Sequence, residues 1–154
     1  ITLVQVARGD YSKLLKVINR SGYAVNEENE EELKEIRKKA QYAENWLRTY
    51  APPHVKFEVQ SALPAEELKN LSESQKKAMK YMAEYLQDLP TTSAEDWHNK
   101  IYEIASATNM EPKEVFKAIY IALLGKPSGP RAGWLLGSLD PNFLRQRFEA
   151  AEKL

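Results

Sequence analysis

Pro112-Lys-Glu-Val-Phe-Lys-Ala-Ile-Tyr-Ile-Ala-Leu-Leu-Gly125 is the stretch that decides the fold. A proline at the first position of a helix costs no hydrogen bond, because the leading N–H groups of a helix have no partner within it. Val115, Phe116, Ile119 and Leu123 follow at the three-and-four spacing of one helix face. Gly125 stands where the chain needs a left-handed residue to leave the helix. A start signal, an apolar stripe and a stop signal in the right order predict one helix, and the same grammar repeats in both directions.

Downstream, Lys126-Pro-Ser-Gly-Pro130 reads as a loop, followed by a short helix through Trp134 and Leu136. Asp140-Pro141 caps and starts a last helix that buries Phe143, Leu144 and Phe148. Upstream, Ser93 caps a helix with Trp97, Ile101, Ile104 and Ala105 inward and Asn109 as a left-handed stop. Ser72 and Gln75 match a capping box. The helix they open buries Met79, Met82, Leu86 and Leu89 and ends at Pro90. Pro64 opens a short helical turn. Nearer the start, Asp10 caps a helix with Tyr11, Leu14, Leu15 and Ile18 inward, closed by Gly22. Asn26 caps a longer one whose stripe is Leu33, Ile36, Ala40, Ala43, Leu47 and Tyr50, closed by Pro52 and Pro53. Between them, Val55, Phe57 and Val59 alternate as in an extended segment with one covered side. A lone strand has no sheet to join, so this segment is read as a connector over the helices. The expected fold is all-α and multihelical, with seven or eight helices in two small subdomains. One spans residues 1–90, with the extended connector near 52–64, and the other residues 91–154.

The bulk composition bounds the function. Hydrophobic residues at 43% and charged residues at 29% of 154 support a real core and argue against disorder. Cysteine is absent, which removes disulfides, zinc–thiolate sites and thiol nucleophiles and suits a reducing cytosol; a cytoplasmic location is expected. No apolar run approaches the roughly 18 residues of a membrane span, so no membrane partner is expected. No basic-then-apolar leader opens the chain, and the first residue is Ile1, so a piece of a longer polypeptide is expected. His54 and His98 fall in different elements without an i,i+4 partner, and neither a serine elbow nor a phosphate-binding glycine loop is present. No catalytic residue and no metal site are expected. The acid-rich run Glu27 to Glu35 reads as a solvated helix start.

The 22 cationic and 22 anionic side chains cancel, so any basic surface must be local. Between Lys113 and Arg147, six cations (Lys113, Lys117, Lys126, Arg131, Arg145 and Arg147) face two acids, Glu114 and Asp140. In the loop Gly125 to Gly133, two prolines stiffen the backbone, three glycines leave it uncovered, and its end feeds a helix start with free amides. Tyr120 and Trp134 flank it. Cations, aromatic rings and rigid backbone in one place suit unstacked RNA bases. The same residues also fit a plain helix–helix connector with a buried Trp. A second basic run from Lys34 to Lys56 offers Arg37, Lys38 and Arg48 for phosphates, or simply a solvated helix face.

Gly-Lys-Pro-Ser-Gly-Pro-Arg-Ala-Gly-Trp-Leu-Leu-Gly-Ser-Leu, residues 125–139, resembles the C-terminal signature of class I lysyl-tRNA synthetases. Trp-Leu-Arg-Thr-Tyr-Ala-Pro-Pro-His-Val-Lys-Phe-Glu-Val-Gln (46–60), Ile-Tyr-Glu-Ile-Ala (101–105) and Phe-Lys-Ala-Ile-Tyr (116–120) resemble upstream segments of the same family, so the likeness spans nearly the whole chain. The resemblance implies an all-helical anticodon-binding region related to that of glutamyl-tRNA synthetases. It makes Ser128, Pro130, Arg131 and Ala132 base-reading positions, with Lys117 nearby and Trp134 part of the lysyl signature. Gly-Pro-Arg stands here where the glutamyl family tends to have Ser-Pro-Pro, which favours the lysyl side. The family's His-x-Gly-His and Lys-Met-Ser-Lys-Ser motifs are missing, so this chain is not expected to activate lysine. ATP and magnesium would belong to a catalytic domain outside it, in a parent lysine–tRNA ligase, and no cofactor is expected here. The implied partners are that catalytic domain and the anticodon stem-loop of a lysine-accepting tRNA, its uridine-rich bases read by the loop. The alternatives are a glutamyl-tRNA synthetase C-terminal domain and a helical protein–protein module.

Overall fold

The computed structural model of the chain describes residues 1–88 and 93–154. Among them are nine α-helices and one 3-10 turn, and no strand. The helices are α1 (Thr2–Ala7), α2 (Tyr11–Arg20), α3 (Glu30–Thr49), α4 (Ala65–Leu68), α5 (Glu73–Tyr85), α6 (Ala94–Ala107), α7 (Pro112–Leu124), α8 (Ala132–Ser138) and α9 (Pro141–Glu152). The all-helical expectation holds, with α1 as an addition that the sequence reading did not contain.

Most of the start and stop signals act as read. Asp10 and Ser93 accept hydrogen bonds from the third backbone N–H of their helices. Ser72 and Gln75 exchange the two bonds of a capping box at the start of α5. Pro112 and Pro141 occupy first-turn positions. Gly22 (φ +92°) and Asn109 (φ +54°) turn the chain left-handed after α2 and α6. In each case the next residue's N–H reaches back to the third-last helical carbonyl: Tyr23 to Ile18, and Met110 to Ala105.

Four readings need correction. The cap of α3 is Asn29, not Asn26: the Asn29 side chain accepts from Glu32 N, while Asn26 spends its side chain on Glu28 N in a local turn. Two asparagines three apart compete for one role, and the later one places Glu30, Glu31 and Glu32 in the first turn, where the helix dipole favours them. Tyr50 is not on the inner stripe of α3; it caps the C-terminus with non-helical angles and is 77% exposed. The deeply buried face of α2 is Leu14 and Val17, while Leu15 is only half-covered, because this helix packs against both α1 and α8. Phe116 and Phe143, read as members of buried faces, are only partly covered, each packed against the edge of the main core. Leu89 and Pro90, expected to finish α5, lie outside the described residues.

One large apolar cluster runs through Leu68, Met79 and Met82 to Trp97, Ile119, Leu136, Leu144 and Phe148, with α5 lying along α9 and α6 along α8. Full burial of each large side chain is worth about 1.5–3 kcal/mol. A smaller cluster of Val4, Ala7, Leu14 and Ala40 joins α1, α2 and α3. The larger cluster takes side chains from both sides of the proposed 90/91 division, which itself falls outside the described residues.

The connector after α3 begins with a 3-10 turn (Pro53–Val55) and then runs extended, with Val59 buried and Phe57 half-covered. An extended segment among helices must find partners for its backbone groups without a sheet. The Gln5 side-chain amide supplies two, accepting from Phe57 N at 2.9 Å and donating to Val55 O at 3.3 Å. Gln60 N donates to Leu123 O at 2.8 Å. Lys126 Nζ donates to Lys56 O at 2.7 Å, and the Arg147 guanidinium donates to Gln60 O and Ser61 O. The connector is thereby fastened across α7 and α9.

Candidate nucleic-acid interface

Helix α7 has two faces. Val115, Ala118, Ile119, Ala122 and Leu123 are fully buried, while Lys113, Phe116, Lys117 and Tyr120 line the other side at helical spacing. That second face forms one wall of a cleft of about 670 Å³, closed by the start of α6 (Ala94, Glu95 and His98) and by the loop and start of α8 (Pro127, Arg131, Ala132, Gly133 and Trp134). A cleft of this size and mixed lining is in the range that holds small aromatic ligands.

The loop over the cleft is built stiffly. Gly125 adopts φ +68°, a conformation a side chain disfavours. The Tyr120 hydroxyl donates to Pro130 O at 2.6 Å. Burial pushes the Tyr120 phenol above its ordinary value, and the Ala132 backbone N–H, donating to the same oxygen, opposes that shift. Gly129 packs so closely that a Cβ there would stand 2.6 Å from Leu124 Cδ1 and 2.9 Å from Tyr120 Cδ1. Gly133 brings α8 against α6: its Cβ would meet Ala94 O at 2.3 Å. Prolines at 127 and 130 restrict φ further.

The result is a concave surface with aromatic walls and cations at its rim. Phe116 stands edge-on to Tyr102 (6.2 Å between centroids, 76°), and His98 lies 4.8 Å from the same ring. Trp134 keeps 39% of its surface exposed. Lys113 pairs with Glu111 at 2.7 Å, and this hydrogen bond and charge raise its amine above the usual lysine value. Lys117 and Arg131 are exposed and form no ion pair among the described residues. Glu95 is the acidic residue of the lining. No group of metal-binding side chains occurs among the described residues, and no helix there is long and apolar enough to cross a membrane.

Of the residues expected to meet RNA, Lys117, Tyr120, Arg131, Ala132 and Trp134 line this one cleft. Ser128, exposed, and Pro130, half-exposed, sit on the loop outside its lining. Lys126 is tied to the connector carbonyl. Arg147, counted as part of the basic run, is only 5% exposed and donates to Ala122 O, Gln60 O and Ser61 O, so it adds nothing to the surface there. Arg37 stacks over Tyr11 at 4.5 Å beside a smaller cleft of about 220 Å³; Arg48 bonds Asn45 at 3.0 Å; Lys38 is exposed. These three lie on α3, which packs on α1 and α2, so they form a separate patch. Sequence reasoning missed Glu95, His98, Phe116 and Pro127 as lining residues. The signal for Phe116 was its place between Lys113 and Tyr120 on the polar face of α7.

The family model for the anticodon binding domain matches residues 28–152, and the chain belongs to that family. It is similar to the lysine–tRNA ligases of Methanosarcina barkeri (37% identical over 167 residues, 98% of this chain and 30% of the relative), Archaeoglobus fulgidus (34%, 98% and 29%) and Pyrococcus horikoshii (30%, 94% and 27%). The chain spans about 30% of the length of the curated relatives it matches.

Proposed function

We propose that this chain is the anticodon-reading part of a class I lysine–tRNA ligase. The observation that supports it best is the α6–α7–α8 cleft, where aromatic walls meet the exposed cations Lys117 and Arg131 under a rigid loop. Unstacked bases gain from rings on which to stack and from donors to their edges, and the phosphates between them from nearby cations. In this reading Phe116, Tyr120 and Trp134 form the stacking surface, Lys117 and Arg131 reach base edges or phosphates, and Arg37, Lys38 and Arg48 steer the stem at a distance. Ser128 presents its hydroxyl and backbone, and Pro130 its ring, to the anticodon. The partners are a lysine-accepting tRNA with a uridine-rich anticodon and the catalytic part of the longer protein. That part, in the cytoplasm, would use ATP and magnesium; this chain supplies recognition and no cofactor site.

Arg131→Ala is expected to weaken binding to the lysine tRNA anticodon stem-loop by roughly 1–3 kcal/mol, measured by fluorescence anisotropy, with a smaller loss for an unrelated anticodon. An equal loss for both would reduce Arg131 to a phosphate contact, and unchanged binding would remove the cleft from the account. Exchanging lysine for glutamate anticodons in the same assay separates the lysyl from the glutamyl reading.

A further inference from the structure

A second cleft adjoins the first. It has a volume of about 330 Å³ and lies between the end of α2 (Asn19, Arg20, Ser21 and Gly22), the start of α6 and α8. The two clefts share Ala94, Gly133 and Trp134. Trp134 is therefore a wall common to both, with its ring partly open to solvent. The close approach of Gly133 to Ala94 O fixes α8 against α6 at this point and so fixes where the indole stands.

We propose that this second cleft is a subsite for the neighbouring nucleotide of the same single strand, with Arg20 holding its phosphate. The proposal rests on the RNA-binding reading of the first cleft and extends it by one nucleotide. An aromatic side chain bordering two adjoining clefts suits successive bases of an extruded strand, since any base can stack on it regardless of sequence. Arg20 is the cation of the second cleft. Its guanidinium is 3.5 Å from the Asp140 carboxylate, both side chains are substantially exposed, and such a pair is weak enough for a phosphate to displace. A guanidinium also matches phosphate geometry in two-pronged fashion.

The test compares binding of the anticodon stem-loop to the full 154-residue chain and to Arg20→Gln, Asp140→Asn, Glu103→Gln and Arg131→Ala across a salt series. Arg20→Gln is expected to weaken binding several-fold and to lower the salt slope by about 1, the signature of one lost phosphate contact. Asp140→Asn keeps a capping side chain on α9 but frees Arg20, and is expected to tighten binding. Both substitutions break the same ion pair, so a merely structural role would weaken both; the proposal requires opposite signs. Glu103→Gln removes an acid in a different cleft, beside Tyr81 and Tyr85, and is expected to leave affinity unchanged. Abasic nucleotides scanned through the loop are expected to reveal two adjacent sensitive positions. A single sensitive position, wild-type behaviour of both Arg20→Gln and Asp140→Asn, or equal tightening by Glu103→Gln overturns the second subsite while a loss in Arg131→Ala leaves the first standing. If Arg131→Ala also binds as the unchanged chain does, the reading of the first cleft falls, and this one with it.

Discussion

Arg147 is a cation that the fold uses as a three-way hydrogen-bond donor. Its guanidinium reaches Ala122 O on α7 at 2.9 Å and, on the connector, Gln60 O at 2.7 Å and Ser61 O at 3.1 Å, with the Phe143 ring 4.9 Å away. Burial lowers its pKa from the ordinary arginine value, and the carbonyl oxygens compensate the lost water. Arg147→Met keeps much of the apolar stem but abandons these acceptors, so about 1–3 kcal/mol of stability is expected to go, read as a lower thermal midpoint; an unchanged midpoint would mean that water satisfies the carbonyls. At this scale the sequence misleads, because Arg131, Arg145 and Arg147 look alike in a charge count. Arg131 follows a proline-stiffened loop and stays in solvent, whereas Arg147 lies one residue before fully buried Phe148, on the face of α9 turned to the core. Nothing in the local spacing says that an extended connector will cross that face and need donors.

Among elements, those with marked ends were legible: the boxes and prolines of α5, α6, α7 and α9 act locally, so the residues that specify them are the residues that form them. Helix α1 was not, since six residues without a side-chain cap show no periodicity, and it is held by Val6 in one core cluster and Val4 and Ala7 in the other. The candidate site was legible in part for the same reason. Lys117, Tyr120, Arg131 and Trp134 lie within one stretch of chain, while Glu95 and His98 reach the cleft only because α6 packs on both α7 and α8. That packing depends on Gly133. A Gly133→Ala substitution would set a methyl 2.3 Å from Ala94 O, a backbone atom that cannot rotate aside. Separation of α6 and α8 is expected to cost about 1–3 kcal/mol of stability and to weaken RNA binding, because Trp134 moves with α8; a variant as stable as the parent would show the contact to be soft.

For the whole molecule, the charge balance of 22 against 22 leaves binding to arrangement rather than to total charge. Arg37 on α3 and the cations around the α7–α8 loop border different clefts, an arrangement that the proposed division between steering a folded RNA and reading an unpaired strand requires. In the proposed reading the anticodon enters the cleft between α6, α7 and α8. Zero-length photocrosslinking of the chain to full-length lysine tRNA, with peptides and nucleotides mapped by mass spectrometry, reads that contact itself. Anticodon nucleotides are expected to be joined to residues between Lys113 and Trp134. Crosslinks confined to α3, or to the acceptor stem of the tRNA, would contradict it.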